Sequence, residues 1–133
     1  MASESQHISE WINRPSGEVY DYAADPANLP HWAPGLGSSV EQVDGEWFVE
    51  TTMGRVGLAF VPRNDYGVLD HYVTLPSGQT VYNPMRVIPD GTTSEVLFTL
   101  RRLAGMSDED FARDAQAVAA DLARLKHVLE EQA

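Results

Sequence analysis

From Met106 to Gln132 the apolar side chains Phe111, Ala115, Val118, Leu122, Leu125 and Leu129 recur at alternating steps of four and three. That period predicts one long amphipathic helix with a single apolar stripe. Its start is marked as well, because Ser107 can cap it, Asp110 stands at the third helical position, and Met106 and Phe111 form the ends of a hydrophobic staple. At about 1.5 Å per residue the helix is on the order of 35 Å long, so the stripe requires an equally long apolar surface to cover it. A sheet that curves around such a helix leaves a hollow between the two layers, and hollows of this kind take small molecules.

The preceding residues read as the strands of that sheet. His7 to Asn13 predicts a first strand, ended by Pro15, and Ser16 to Ala24 a helix with Val19 and Ala23 on one face. Asp25 can cap, and Pro26 open, a second helix that Pro30 and Pro34 hold to about one or two turns. Gly35 to Ser39 reads as a loop. Turn signals follow at Asp44-Gly45, Gly54, Asn64 to Gly67, Pro76-Ser77-Gly78 and Asp90-Gly91, at the spacing of an antiparallel meander. With the first strand this makes about seven strands. Residues 1–133 therefore read as one α+β domain: a curved antiparallel sheet wrapped around a long C-terminal helix, with two short helices between strands 1 and 2.

Turn chemistry also assigns faces. A two-residue turn at Asp44-Gly45 pairs Val43 with Glu46 and puts Val40, Trp47, Val49, Thr51 and Met53 on one side, with Phe48 and Glu50 on the other. A turn at Gly54-Arg55 opposes Met53 to Val56 and adds Leu58 and Phe60 to the apolar side. A three-residue loop at Pro76-Ser77-Gly78, with Gly78 left-handed, pairs Leu75 with Gln79. It aligns Leu69, His71, Val73 and Leu75 with Val81, Asn83, Met85 and Val87, and Val96, Phe98 and Leu100 complete a face interrupted by His71 and Asn83.

This order of elements, with Ile8 to Pro15, Val19-Tyr-Asp-Tyr-Ala-Ala-Asp-Pro26 leading to Leu29-Pro-His-Trp-Ala33, and the closing Asp121-Leu-Ala-Arg-Leu-Lys126, resembles the START-like (SRPBCC) superfamily. That group includes the Bet v 1-type allergens, lipid-transfer START domains and bacterial polyketide cyclases. The resemblance spans essentially the whole chain and is strongest to small bacterial polyketide cyclase or dehydrase-like proteins. It implies a helix-grip fold around a hydrophobic cavity, and little about chemistry, since pattern-level similarity does not transmit a catalytic residue. The glycine-rich loop of the plant allergens is replaced here by the bare turn Asp44-Gly45.

Several function classes are excluded. The chain has no cysteine, so disulfides, thiolate nucleophiles and cysteine metal sites are out. A formal charge of −11 repels phosphate backbones and anionic lipid, which argues against nucleic acid and membrane partners. The N-terminus shows no basic region followed by an apolar run, and a cytoplasmic location is expected. The histidines at 7, 31, 71 and 127 lack metal-ligand spacing, so no metal is expected, nor is any organic cofactor. Neither a phosphate loop nor a Gly-x-Ser-x-Gly elbow is present.

Candidate site residues follow from the faces. His71 is expected inside the cavity, where an imidazole can act as general acid or base in aldol cyclisation, dehydration or enolisation, with Asn83 as cross-strand partner or carbonyl binder. The alternative is a core histidine satisfied by a backbone carbonyl. Asp70 is expected to face outward in a surface ion pair with Arg86. Trp47, Phe60, Met85 and Phe98 are candidate cavity walls, or ordinary core, and Trp32 is a candidate lid or plug beside His31. Tyr72 and Tyr82 fall on the outer face or rim. Three readings stay open: a binder of a small hydrophobic, aromatic or polyketide-like ligand, acting as a monomer or homodimer; a cyclase or dehydratase; and a protein-interaction module, which would need a large exposed apolar patch.

Overall fold

The computed structural model describes residues 4–33, 39–52 and 54–131. Its elements are β1 (Ser5–Ile12), α1 (Ser16–Ala23), a 3-10 turn (Pro26–Asn28), α2 (Leu29–Trp32), β2 (Ser39–Val43), β3 (Glu46–Thr51), β4 (Gly54–Phe60), β5 (His71–Thr74), β6 (Thr80–Asn83), β7 (Met85–Asp90), β8 (Thr93–Arg101) and α3 (Asp108–Glu131). The order and the two short helices between β1 and β2 are those expected from the sequence, and the fold is an α+β helix grip. Met53 on the apolar face, Pro34, and positions 35 to 38 of the expected loop lie outside the described residues, and Ser39, expected to end that loop, begins β2.

Eight strands form where about seven were expected. The extra one arises because Pro84, which has no N–H to give to a ladder, divides a single long strand into β6 and β7. Five strands pair in the order β2-β3-β4-β5-β6 and three in the order β1-β8-β7, all antiparallel among these pairs. Residues just before β5 join the two sets. Leu69 N–H donates to Met85 O at 2.9 Å and Val87 N–H to Gly67 O at 2.8 Å, in the register that already pairs His71 with Asn83. Gly67 allows this approach, since a Cβ there would strike the Val87 carbonyl and its φ is +72°.

Registers follow turn chemistry in two hairpins and depart from it in one. Val43 pairs with Glu46, and Leu75 N–H donates to Gln79 O at 2.8 Å, with Gly78 left-handed, as expected. Between β3 and β4, however, Thr51 pairs with Gly54 and Val49 with Val56, so Gly54-Arg55 is not the turn. Arg55 is a strand residue instead, its guanidinium 3.3 Å from Glu41, 3.9 Å from Glu50, and over the Phe48 ring at 4.3 Å. The slip is an even number of residues, which preserves the face assignments within β3 and β4: Val49, Val56 and Leu58 are all buried.

α3 lies on the concave side. Phe111, Ala115, Leu122, Leu125 and Leu129 are buried, and each fully buried leucine contributes about 1.5–3 kcal/mol. Ser107 Oγ caps the helix by accepting from Asp110 N–H at 3.0 Å. Polar ties fix the helix along its length. Arg102 joins Glu4 (2.9 Å) and Asp108 (2.6 Å) at the start, Arg124 Nε donates to His31 O at 2.9 Å in the middle, and Lys126 Nζ donates to Trp11 O at 2.9 Å near the end. Among the described residues no helix is long and apolar enough to cross a membrane.

Candidate functional site

His71 opens β5, opposite Phe60 on β4 and Asn83 on β6. The residue is 8% exposed, and its ring centroid is 5.0 Å from that of Phe60 and 5.9 Å from that of Phe98. Nδ1 is 3.0 Å from Leu69 O. A carbonyl can only accept, so Nδ1 carries the hydrogen and Nε2 keeps its lone pair. That carbonyl is available because the ladder is broken beside it. In a narrow antiparallel pair Met85 N–H would return a bond to Leu69, but here it donates to Asp70 Oδ1 at 2.9 Å. The Asp70 carboxylate thus takes the N–H, and His71 takes the carbonyl. Burial pushes the imidazole pKa down, against the opposing pull of the Leu69 hydrogen bond and the Asp70 charge, and the ring is neutral at neutral pH.

Asp70 differs from its expected surface position. The ion pair with Arg86 is present, yet Asp70 is 5% exposed, because Arg86 and Tyr82, whose hydroxyl donates to the carboxylate, lie across it. Desolvation alone would raise its pKa; the hydrogen bonds from Tyr82 and Met85 and the Arg86 charge outweigh that and hold it low. Tyr72 and Tyr82 stack at 5.0 Å and remain partly exposed, on the side expected for them.

On the concave side, between sheet and helices, is a cavity of about 110 Å³. Leu58, Phe60, Val73 and Phe98 supply its sheet wall, Val118 and Leu122 its helix wall, and Trp32 closes one side from α2. Trp32 is buried, so it plugs the grip rather than covering it as an exposed lid. Three side chains with titratable or amide groups also line this void: His71, Asn83 and Asp121. Asp121 was not singled out from the sequence. The signal was there, since it stands three residues after Val118 and four before Leu125, on the apolar stripe. Burial pushes its carboxyl up to about 6.

The remaining predicted wall residues separate. Phe60, Asn83, Phe98 and Trp32 meet His71 at the cavity. Trp47 is half-buried and lines a larger open groove of about 660 Å³, which shares Leu58 and Phe60 with the cavity. Met85 is 1% exposed and lies in the core, outside the cavity lining. Among the described residues no three metal-ligating side chains converge.

By sequence the chain matches no family model and none of the curated proteins. Solved structures are similar in fold. Ara h 8.0201 superposes with a TM-score of 0.72 at 11% identity, covering 98% of this chain and 100% of that one. An aromatase/cyclase, ZhuI from Streptomyces sp. R1128, gives 0.71 at 15%, covering 98% and 96%. A START superfamily protein from Mycobacterium smegmatis gives 0.71 at 9%, covering 97% and 99%.

Proposed function

We propose that this chain, which has the helix-grip fold of Bet v 1-type and START proteins, binds a small hydrophobic molecule, aromatic or polyketide-like, between its sheet and α3. The observation that carries the reading is the cavity itself: apolar walls with a few polar groups converging on one void, the usual make-up of a small-molecule site. Its enclosed part is close to the size that holds a single aromatic ring, for which about 150 Å³ suffices in an engineered protein cavity. A longer ligand has room along the groove beyond Leu58 and Phe60, past Trp47. Native mass spectrometry of freshly purified protein tests for a bound molecule. A fluorescence titration with aromatic and acyl compounds, repeated on Trp47→Phe, tests the path. Binding with no change in the Trp47 signal would remove the groove from the site, and binding of none of the compounds would defeat the reading.

Two titratable groups on one cavity favour a second reading, a dehydratase or cyclase. His71 Nε2 has a free lone pair and can take a proton from carbon alpha to a ketone. Asp121, protonated below about pH 6, can give its proton to a departing beta hydroxyl. The carbon–hydrogen and carbon–oxygen bonds break, a carbon–carbon double bond forms, and water leaves. Turnover would then fall as pH rises through about 6, where Asp121 loses its proton. His71→Gln would lower turnover by about 10² to 10⁴ with affinity within a few-fold. If His71 serves binding or packing alone, the same change alters affinity or stability instead.

A further inference from the structure

Asp70 stands one residue before β5, and its carboxylate lies on the convex side with Tyr82 and Arg86, whereas His71 lines the cavity on the concave side. Three donors hold that carboxylate: Arg86 and the Met85 N–H (2.9 Å) on Oδ1, and the Tyr82 hydroxyl on Oδ2. Two of them are side chains that fix it in place. The third is a backbone N–H taken out of the ladder. Leu69 N–H still donates to Met85 O at 2.9 Å, so this pair keeps one of the two bonds that a hydrogen-bonded antiparallel pair exchanges.

The missing bond decides where a proton sits on the other side of the sheet. Which neutral tautomer an imidazole adopts is set by the hydrogen bond that one of its nitrogens makes. Phe60 and Phe98 offer His71 no acceptor, and the amide of Asn83 can pair with either form because it both donates and accepts. Asp121, which lines the same cavity from α3, favours a proton on Nε2 when it is ionised. The Leu69 carbonyl, 3.0 Å from Nδ1, is the group that favours the opposite form. In a regular ladder Met85 N–H would compete for that oxygen.

We propose that Asp70 is a positioning residue for His71: by keeping Met85 N–H on the convex side it reserves the Leu69 carbonyl for Nδ1–H, and so holds the lone pair on Nε2. Tyr82 and Arg86 act one step further back, by fixing the carboxylate. The acceptor matters here rather than the charge, because Met85 N–H needs only an oxygen at the place of Oδ1. A His71 that takes up a proton, as in the dehydratase or cyclase reading, depends on this tautomer. The control itself acts within the protein, whatever the cavity holds.

Long-range proton–nitrogen NMR spectra of the full chain at about pH 7.5, where burial keeps the ring neutral, read the tautomer directly. The ring nitrogen without a hydrogen resonates far downfield of the other, and Hδ2 correlates with Nε2; His71→Gln assigns the signals. In the parent, in Tyr82→Phe and in Asp70→Asn, whose amide oxygen can still take Met85 N–H, the downfield nitrogen is expected to be Nε2. In Asp70→Ala it becomes Nδ1. Asp70→Val, which suits a strand and brings no acceptor, replaces the alanine variant if that does not fold. If neither folds, the parent decides: a coupling across the hydrogen bond from Met85 N to the Asp70 carboxyl carbon supports the proposal, and one to the Leu69 carbonyl carbon overturns it. A downfield Nδ1 in the parent, or Asp70→Asn behaving like Asp70→Ala, overturns it too. So does an Asp70→Ala variant that loses stability with its ring signals unmoved, because the two lone pairs of the Leu69 carbonyl then serve both donors. Each of these results leaves ligand binding standing.

Discussion

Replacing Asp121 by asparagine keeps the size of the side chain and removes its charge. In the folded chain burial pushes this carboxyl from 3.8 up to about 6, so the folded state holds the proton more tightly than the unfolded state does. A group raised in this way contributes its full stability below the unfolded value and loses that contribution as pH rises through the folded value. The loss is therefore expected between about pH 4 and pH 6, and at pH 8 the ionised carboxylate carries the whole penalty. A displacement of this size corresponds to about 3 kcal/mol, which partial exposure and screening reduce to on the order of 1–2 kcal/mol. Asp121→Asn should accordingly be more stable than the parent by that amount at about pH 8, with the gap closing as pH falls to about 4. Urea unfolding followed by circular dichroism at a series of pH values measures the difference, and carboxylates common to both proteins cancel in it. A difference that does not vary with pH, or a parent more stable at pH 8, would refute the claim that Asp121 is desolvated against the cavity.

Two further substitutions test the supports of the site. Leu122→Ala removes a fully buried side chain shared by the core and the cavity wall, and should cost about 2–5 kcal/mol in urea unfolding; a loss below about 1 kcal/mol would mean that the side chain already faces a void. Asp70→Ala strands the buried Met85 N–H and should cost about 1–3 kcal/mol, whereas Tyr82→Phe keeps the acceptor and should cost less, an order that paired denaturation curves would reverse if the carboxylate did not hold the strand break.

The long helix, the meander and the inward face of His71 were legible in the chain because each rests on local rules. Period separates helix from strand, and a turn residue such as Gly78 sets a register whose parity carries the whole strand with it. The same parity rescued the misplaced β3–β4 turn, since a slip by an even count moves partners without moving faces. The division of β6 from β7 was missed in a run read as one strand, although Pro84, which lacks an N–H, could have marked it. What the division releases was not legible. That Asp70 would be covered by Tyr82 and Arg86, that it would take Met85 N–H, and that His71 would thereby gain the Leu69 carbonyl depend on how closely two strands and their side chains approach in space. Asp121 could be placed on the apolar stripe from its spacing, but its desolvation depends on what α3 lies against. The unpartnered indole N–H of Trp32 is likewise a property of the assembled core. Periodicity is set by neighbours along the chain, whereas burial, pKa and hydrogen-bond satisfaction are set by neighbours across it, and those exist only once sheet, α2 and α3 have closed on one another.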